Sequence, residues 1–429
     1  MMQIFNNPER KDWNQLLQRP YQDNSAVLNV VQEILGEVRQ RGDNALKDLA
    51  KKFEGRETKN IEVSESELTE ACNGLDDKIK LAIKQAAENI RKFHEAQTGK
   101  GEELETMPGI RCWRKGVGIE KVGLYIPGGT APLFSTVLML GIPARLAGCK
   151  EIILCTPVGK DGKVHPAVLY SAQLVGVTRI FKTGGAQAIA AMAYGTESIP
   201  AVFKIFGPGN QYVTAAKQMV QMQGVAIDMP AGPSEVCVLA DESGNPAFVA
   251  ADLLSQAEHG ADSQVVLVST SEKFVQQCIE EVKKQLDILP RKELALKALS
   301  KSKAFIVKNI EEAIDLVNTY AAEHLMISCT EGDQIAEQVI NAGSVFIGNY
   351  SPESVGDYAS GTNHTLPTNG FARAYSGVSV DSFLKKITFQ KLTQEGLSAI
   401  SETVMTMAEA EGLEAHANAV RIRINNKQQ

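Results

Sequence analysis

The feature that most constrains the fold is a repeated alternation of short apolar, strand-like segments with helical segments between residues 151 and 348. The first series contains the strand-like segments EIILCTP, TRIFKT, VFKIF and VAIDM. The second series contains VCVLA, SQVVLVS, AFIV, HLMIS and SVFIG. Strands that alternate with helices lie parallel in one sheet, so each series predicts a parallel α/β unit. The segment MPAGPSE at 229–235 predicts a tight crossing between the two units.

The helices of these units and the flanking segments follow from hydrophobic periodicity. Residues 25–100 show apolar positions at three- and four-residue spacing, which predicts a helical entry segment. Residues 109–129 alternate β-type stretches with glycines and predict extended chain. The tail predicts a strand over FLKKITFQKL, a helix over 394–411 and a final basic helical piece. Between the strands we expect helices near 166–174, from 187, from 210, and near 246–257, 271–286, 310–320 and 333–340.

Length and composition limit the class of protein. The chain has 429 residues, 44% of them hydrophobic and 22% charged, which is typical of a globular protein with two to four domains at roughly 100–200 residues each. The net charge of −7 and the isoelectric point near 5.6 argue against nucleic acid as a partner. We therefore expect small-molecule ligands.

The cysteines and the N-terminal sequence indicate a cytoplasmic location. Seven cysteines are scattered singly, without a short-spaced pair typical of zinc or redox sites. The N-terminal sequence lacks the basic and apolar regions of a signal peptide, and no run of about 18 apolar residues predicts a membrane span.

Three glycine-bearing loops follow predicted strands. They are YIPGG at 125–129, KTGGAQ at 182–187 and FGPGN at 206–210. Glycines at a strand-to-helix turn let the backbone approach a ligand closely and direct helix N-terminal amides at anions. Any one loop is also explained by a tight turn, but three in one unit favour a nucleotide or phosphate site. No GxGxxG fingerprint follows a strand, so a dinucleotide would bind without it.

Metal-ligand candidates come from the segment LLSQAEHG. Gln256 and His259 lie three residues apart and share one face of a helix end. Two ligands are too few for zinc, so Asp357 and another histidine would have to converge with them. The alternative is a histidine that bonds nearby carbonyl groups at the helix end.

Glu323 and His324 lie where a predicted helix gives way to the strand HLMIS. A histidine titrates near neutral pH and a carboxylate can take a proton from water, so the pair is suited to a proton relay. The alternative is an exposed helix terminus that His324 caps. We interpret His94 and His165 as surface residues.

The cysteines offer a further chemical alternative, a thiolate nucleophile that oxidises an aldehyde through a thioester. Cys149, Cys155 and Cys237 lie in or beside apolar stretches. Burial there would raise the thiol pKa and make these groups inert.

Several long, ordered segments resemble the histidinol dehydrogenase family over nearly the whole chain. These segments are YIPGGTAPLFSTVLM, GGAQAIAA, IFGPGN, DMPAGPSEV, DLLSQAEHG, EHL, GSVFIG, GDYASGTNHTLPT and EAHANAV. Together they are far more specific than any single motif above.

The resemblance implies an α/β fold with two incomplete Rossmann-like parallel-sheet domains, small N- and C-terminal extensions and an intertwined homodimer. It divides the chain into an N-terminal helical extension at 1–20, a first Rossmann-like domain at 21–124 and 236–380, a second one at 125–235 with the NAD loops, and a C-terminal extension at 381–429. The extension would complete the active site of the partner subunit.

The resemblance further implies zinc-dependent oxidation of L-histidinol to L-histidine with two NAD, the last step of histidine biosynthesis. Glu323 and His324 would be the catalytic residues, with His324 as base in both oxidations and Glu323 activating water between them. The implied zinc ligands are Gln256, His259, Asp357 and His416, all of which would also contact substrate, as would His324, Ser234 and Glu411. The implied NAD contacts are Tyr125, Gln187 and Asn210.

Two other functions remain open at this point. A zinc hydrolase with Glu323 as general base would leave the three glycine loops unexplained. A non-catalytic binding protein with the same fold would not need the intact pair of Glu323 and His324.

Overall fold

The computed structural model describes residues 1–19, 25–99, 101–128, 132–230 and 232–425. Its strands are β1 Gln3–Asn6, β2 Glu103–Met107, β3 Ile110–Gly118, β4 Lys121–Tyr125, β5 Glu151–Thr156, β6 Arg179–Lys182, β7 Lys204–Phe206, β8 Ala226–Ile227, β9 Glu235–Ala240, β10 Gln264–Ser269, β11 Lys303–Ile306, β12 His324–Ser328, β13 Ser344–Ile347 and β14 Leu384–Leu392.

Its helices are α1 Trp13–Leu16, α2 Ser25–Arg41, α3 Asp43–Glu54, α4 Glu65–Gly74, α5 Asp77–Glu95, α6 Phe134–Leu146, α7 Pro166–Val175, α8 Gly185–Tyr194, α9 Gln211–Gln221, α10 Pro246–Ala257, α11 Glu272–Ile288, α12 Lys292–Ser300, α13 Ile310–Tyr320, α14 Gly332–Ala336, α15 Glu353–Tyr358, α16 Gln394–Ala410 and α17 Glu414–Asn425. In these described ranges no helix combines the length and the apolar character that crossing a membrane requires.

The five-stranded sheet has the order β6-β5-β4-β7-β8, and all its strands are parallel. One face packs against α5, α6 and α7, and the other packs against α2, α3, α8 and α9. Because both faces are covered, its central strands are continuously apolar, as the sequence pattern indicated.

The six-stranded sheet has the order β1-β11-β10-β9-β12-β13 and is also entirely parallel. Of its last five strands, β9 comes first in the chain and lies in the middle, with β10 and β11 on one side and β12 and β13 on the other. The five-stranded sheet has the same arrangement around β4, so the winding direction reverses between β9 and β12 here and between β4 and β7 there. The prediction of two parallel α/β units is therefore confirmed. Residues 229–235, of which Ala231 lies outside the described residues, connect β8 of one sheet to β9 of the other.

A third, antiparallel sheet joins the tail to the middle of the chain. Its order is β14-β3-β2, and β14 pairs with β3 from Leu384 to Leu392. Just before β14, the ring of Phe383 stacks on Phe206 of the five-stranded sheet at 3.9 Å between centroids. Helices α16 and α17 follow and pack against each other. The predicted tail strand and tail helices are confirmed.

The N-terminal segment differs from the expected helical extension at 1–20. Residues Gln3–Asn6 form β1, which pairs in parallel with β11, and the ring of Phe5 stacks on Phe305 at 5.5 Å. Helical structure is limited to a 3₁₀ turn at Arg10–Asp12 and the single turn of α1 that follows it, where Trp13 is buried. This strand forms because β11 offers an open edge of the sheet. Its partner lies 300 residues away, so the sequence around residues 3–6 carries no local pattern that would predict the pairing.

The entry helices also pack differently from the expected division. Helices α2, α3 and α5 cover the five-stranded sheet, and β4 lies in its centre, whereas we assigned residues 21–124 to the other domain. Helical periodicity identifies an apolar face but does not say which sheet that face will cover.

His94 is not a surface residue, as we had interpreted it, but is completely buried. Its Nδ1 lies 2.8 Å from the carbonyl oxygen of Ile90, and its Nε2 lies 3.3 Å from Nδ2 of Asn363. The distant loop around Asn363 covers it. His165 is exposed as expected, and its Nδ1 accepts a hydrogen bond from the Ala167 amide at the start of α7.

A buried ion pair fixes the turn after β7. Lys217 and Asp228 are paired, with side chains only 4% and 1% exposed. The Lys217 ammonium donates to the carbonyl oxygen of Gly207 at 2.9 Å, and Asp228 accepts from the Gly207 amide at 2.8 Å. Gly207 has a φ of +126°, and a Cβ there would lie 2.0 Å from the carbonyl oxygen of Tyr125. The pair therefore holds a turn that only glycine can form.

We expect Lys217→Met to lower the free energy of unfolding by about 3–5 kcal/mol, because it leaves the buried Asp228 carboxylate without its counter-charge. Urea unfolding followed by circular dichroism measures the change. Lys150→Met, which removes an exposed partner of Glu120, is the control and should change stability by less than about 1 kcal/mol. Equal effects of the two substitutions would contradict the role of the buried pair.

Candidate active site

Glu323 and His324 lie at the amino edge of the six-stranded sheet, at the start of β12. Helix α13 ends at Tyr320, and Ala321, with a φ of +55°, turns the chain toward the strand. His324 is the first residue of β12 and pairs with Val236 and Ser344 on either side. Glu323 and His324 are 7% and 3% exposed. The alternative of an exposed helix terminus is therefore wrong.

Hydrogen bonds fix both side chains. Oε2 of Glu323 accepts from the backbone amide of Glu235 at 2.9 Å and from Nε2 of Gln256 at 3.3 Å. Nδ1 of His324 lies 3.3 Å from the carbonyl oxygen of Glu235 and 3.7 Å from Oε2 of Glu323. Nε2 of His324 lies 3.3 Å from Oδ1 of Asp357. The imidazole thus sits between two carboxylates.

This arrangement shifts the pKa of all three groups. Burial raises the pKa of Glu323, and the nearby imidazolium opposes this only in part. Burial by itself lowers the pKa of His324, but the Glu323 carboxylate and the hydrogen bond to Asp357 outweigh it and raise that pKa. Burial favours a raised pKa for Asp357, but the hydrogen bond from His324 prevails and lowers it. Glu323 and His324, whose side chains can both accept and release protons, are thus neighbours with altered pKa values.

The structure brings three of the sequence-predicted metal ligands to this cluster. Gln256 lies in the last turn of α10 and contacts Glu323, and His259 follows two residues after that helix ends. The His259 amide donates to the carbonyl oxygen of Gln256 at 3.3 Å. Burial lowers the pKa of His259, and the charge of Asp357 partly offsets this. Asp357 lies on α15. No hydrogen bond joins the His259 ring to a carbonyl group of a described residue, contrary to the structural alternative.

One side-chain oxygen, Oε1 of Gln256, indicates whether these residues suit a metal. Oε1 of Gln256 is buried and has no hydrogen-bond partner, although a buried carbonyl oxygen nearly always has one. A cation would satisfy it, with His259 and Asp357 as further donors. Among the described residues, no three His, Cys, Asp or Glu side chains are arranged to hold a metal. The predicted ligands near Gln256 include only two side chains of these types, His259 and Asp357.

The remaining predicted substrate residues are divided between two places. Ser234 immediately precedes β9, beside Glu235, and its carbonyl oxygen accepts from the amide of Gln264 at 3.1 Å. Glu411 is the C-cap that follows α16, His416 lies in α17, and both are exposed. No hydrogen bond or ion pair between described residues connects Glu411 or His416 to the cluster.

The three predicted NAD residues all lie at the carboxyl edge of the five-stranded sheet. Tyr125 ends β4, and its hydroxyl accepts from the amide of Gly185 at 3.1 Å, while burial raises the pKa of this hydroxyl to about 12. Gln187 is buried in the first turn of α8. Asn210 caps α9 by accepting from the amides of Tyr212 and Val213. Gly129 of the first loop lies outside the described residues.

Close packing explains two of the loop glycines. A Cβ on Gly128 would lie 2.4 Å from Cγ of Pro157, and one on Gly184 would lie 2.7 Å from Cβ of the same proline. The loops that follow β4, β5 and β6 are therefore in direct contact, and a larger residue would separate them.

The segment around His364 joins the two groups of residues, and sequence reasoning assigned it no role beyond the family resemblance. Nδ1 of His364 lies 2.7 Å from the carbonyl oxygen of Asp357, and its Nε2 lies 3.0 Å from Oγ1 of Thr136 on α6. The adjacent Asn363 donates to the carbonyl oxygen of Met139 at 2.6 Å. The predicted ligand Asp357 is thus tied to the helix that follows the first glycine loop.

Two buried carboxyl groups behind the cluster were also missed. Glu353 is 1% exposed and accepts from Oγ of Ser255 at 2.7 Å, while its other oxygen has no partner. Burial, reinforced by the charge of Glu353, raises the pKa of Asp252 to about 7, and burial raises that of Glu353 to about 7. The available signal was spacing, because Asp252 precedes Gln256 and Glu353 precedes Asp357 by one helical turn.

The thiolate alternative does not agree with the state of the cysteines. Cys149, Cys155 and Cys237 are buried, and burial raises their pKa, to about 11 for Cys149 and further for the other two. A thiol in this state is a poor nucleophile.

Comparison with known proteins agrees with the sequence resemblance. The family model for histidinol dehydrogenase matches residues 17–424. The histidinol dehydrogenase of Bacteroides fragilis is 58% identical over 423 residues, and that of Bacteroides thetaiotaomicron is 56% identical over 425, with 99% of each chain covered. The crystal structure of histidinol dehydrogenase from Elizabethkingia anophelis superposes with a TM-score of 0.97 at 53% identity and covers 99% of this chain and 98% of that one. The chain therefore belongs to the histidinol dehydrogenase family.

Proposed function

We propose that this protein oxidises L-histidinol to L-histidine through L-histidinaldehyde, the last step of L-histidine biosynthesis, and reduces two NAD. The observation that carries the proposal is the buried contact of Glu323 and His324 beside Gln256 and Asp357 in a chain of this family. NAD supplies the hydride acceptor in each of the two oxidations. The balanced reaction consumes one water and releases two NADH and three protons, so the protein must accept protons repeatedly at one place.

His324 is the base in both oxidations. Its imidazole removes the hydroxyl proton of the alcohol as hydride leaves the carbinol carbon, and removes a hydroxyl proton from the hydrated aldehyde in the second step. Asp357 and Glu323 on either side stabilise the imidazolium that forms.

Glu323 acts between the two oxidations. Its carboxylate removes a proton from water as the water oxygen bonds to the aldehyde carbon, which gives the hydrated aldehyde. Burial supports this role because it raises the pKa of the carboxyl group, and a more basic carboxylate accepts a proton from water more readily.

Gln256, His259 and Asp357 would hold a zinc ion together with His416 from a second copy of this chain. The zinc would position the imidazole and amino nitrogens of the substrate. Ser234, and Glu411 of the second copy, would line the same pocket. The unpartnered oxygen of Gln256 supports this assignment.

A homodimer with shared active sites is part of the proposal. Glu411 and His416 are exposed, and so are the apolar side chains of Met407, Leu413 and Ile422 around them, at 60%, 42% and 54%. Exposed apolar groups of this size favour burial against a partner.

Tyr125, Gln187 and Asn210 would contact NAD at the carboxyl edge of the five-stranded sheet. Ligands of doubly wound sheets bind at this edge, where the winding direction reverses, here between β4 and β7. The rival hydrolase leaves this edge without a ligand. A cytoplasmic location is in keeping with the seven unpaired cysteines.

We expect NADH to form, seen as absorbance at 340 nm, when the protein is mixed with L-histidinol, NAD and zinc. A chelator should abolish the signal, and added zinc should restore it, because the substrate is held through the metal. Absence of NADH in the presence of zinc would overturn the proposed function.

We expect Glu323→Gln to slow oxidation of supplied L-histidinaldehyde by about 100-fold or more, because general-base catalysis contributes roughly 10²–10⁴-fold. Oxidation of the alcohol to the aldehyde, measured in a single turnover, should be much less affected. Glu311→Gln, an exposed change on the preceding helix, is the control. Undiminished aldehyde oxidation by Glu323→Gln would refute the assigned role.

We expect a mixture of two inactive variants, His259→Asn and His416→Asn, to regain activity after subunit exchange. Each mixed dimer would contain one site with both histidines intact. Mass spectrometry of isotope-labelled subunits verifies the exchange. Exchange without recovered activity would contradict the placement of His416 in the partner's site.

A further inference from the structure

Arg19, at the end of the N-terminal segment, contacts the two elements next to the catalytic pair, strand β9 beside β12 and helix α13 before it. Its guanidinium group donates two hydrogen bonds of 2.8 Å to the two carboxylate oxygens of Glu235. It also donates to the carbonyl oxygen of Tyr320 at 2.7 Å and lies 4.2 Å from the centre of that ring. Glu235 begins β9, and Tyr320 ends α13, three residues before Glu323.

The environment of this ion pair makes it rigid. The Glu235 side chain is 1% exposed and that of Arg19 is 16% exposed. The amide of Asn369 also donates to Glu235, at 2.8 Å, and the hydroxyl of Tyr320 donates to Gln264 at 2.9 Å. A planar, bidentate pair of this kind fixes orientation as well as distance, and lysine does not reproduce it.

The backbone of Glu235 contacts both catalytic side chains, so the position of Glu235 affects theirs. Its amide donates to Oε2 of Glu323 at 2.9 Å, and its carbonyl oxygen lies 3.3 Å from Nδ1 of His324. Each side chain has a second partner at 3.3 Å, Gln256 for Glu323 and Asp357 for His324. The Glu235 backbone is the closer of the two partners only for Glu323, at 2.9 Å against 3.3 Å for His324. A shift of β9 therefore affects Glu323 more than His324.

We infer that Arg19 is a positioning residue that aims the Glu323 carboxylate at water, and so controls the hydration and oxidation of the aldehyde more than the oxidation of the alcohol. The inference rests on the proposed function. Arg19 touches neither reacting atoms nor cofactor residues, and it acts through Glu235.

The test measures the two half-reactions separately in Arg19→Met and Arg19→Lys, with thermal unfolding of each variant. We expect Arg19→Met to slow the oxidation of L-histidinaldehyde by about 10- to 100-fold, because small misplacements of a catalytic group have effects of this size. Single-turnover oxidation of L-histidinol should change less than about threefold, and Arg19→Lys should be intermediate.

Two comparisons separate positioning from general stability. Arg10→Met removes the exposed pair of Arg10 with Asp315 in the same segment and should leave both half-reactions unchanged. In a Glu323→Gln background, Arg19→Met should cause no further loss, since both changes remove the same contribution.

Equal slowing of both half-reactions, or full additivity with Glu323→Gln, would overturn the inference, as would aldehyde oxidation by Arg19→Met equal to that of Arg10→Met. If Arg19→Met does not fold, the same three outcomes are decided with Arg19→Lys. An unmodified protein that forms no NADH from histidinol would instead overturn the proposed function, so the two failures are distinguishable.

Discussion

The parallel pairing of β12 with β9 is the interaction on which the site depends. It sets His324 opposite Val236 and places the amide of Glu235 against the carboxylate of Glu323. Without that register, a carboxylate and an imidazole would have to be buried at this edge without their partners, which costs several kcal/mol per charge. The interior residues of the two strands, 236–239 of β9 and 325–327 of β12, are apolar and buried, so a shifted register would move polar residues from the strand ends in among them.

The two sheets contribute opposite edges to the site. The five-stranded sheet presents its carboxyl edge, where loops after parallel strands provide backbone amides for a ligand. The six-stranded sheet presents its amino edge, because Glu235 and His324 are the first residues of their strands. The bonds of His364 to Asp357 and Thr136 connect the two edges. An oxidation needs a hydride acceptor and a base close to the same carbon. In the proposed function the five-stranded sheet would hold the acceptor and the six-stranded sheet would provide the base.

Among the described residues, the carboxyl groups whose pKa is raised all lie around this junction. Asp252, Glu353 and Glu323 all have raised pKa values caused first by burial, and Oε1 of Gln256 lacks a partner. Such groups destabilise a folded chain unless a bound ligand or ion compensates them. Their grouping in one place is typical of a functional site.

Periodicity and motifs in the sequence predict the local elements and name the residues to which we assign the chemistry. Strand and helix periodicity located both parallel units, and the family motifs named residues that the fold brings together, among them Gln256, His259, Asp357, Glu323 and His324. Spacing alone suggested Gln256 with His259, since residues on one helix turn are neighbours whatever the rest of the chain does. The tertiary structure decided the contacts between distant segments. The strand β1, the burial of His94, the packing of α2 to α5 and the bond between Arg19 and Glu235 all depend on partners far along the chain. Hydrophobic periodicity records that a face is buried but not what covers it, and so these features become visible only when the sheets have formed.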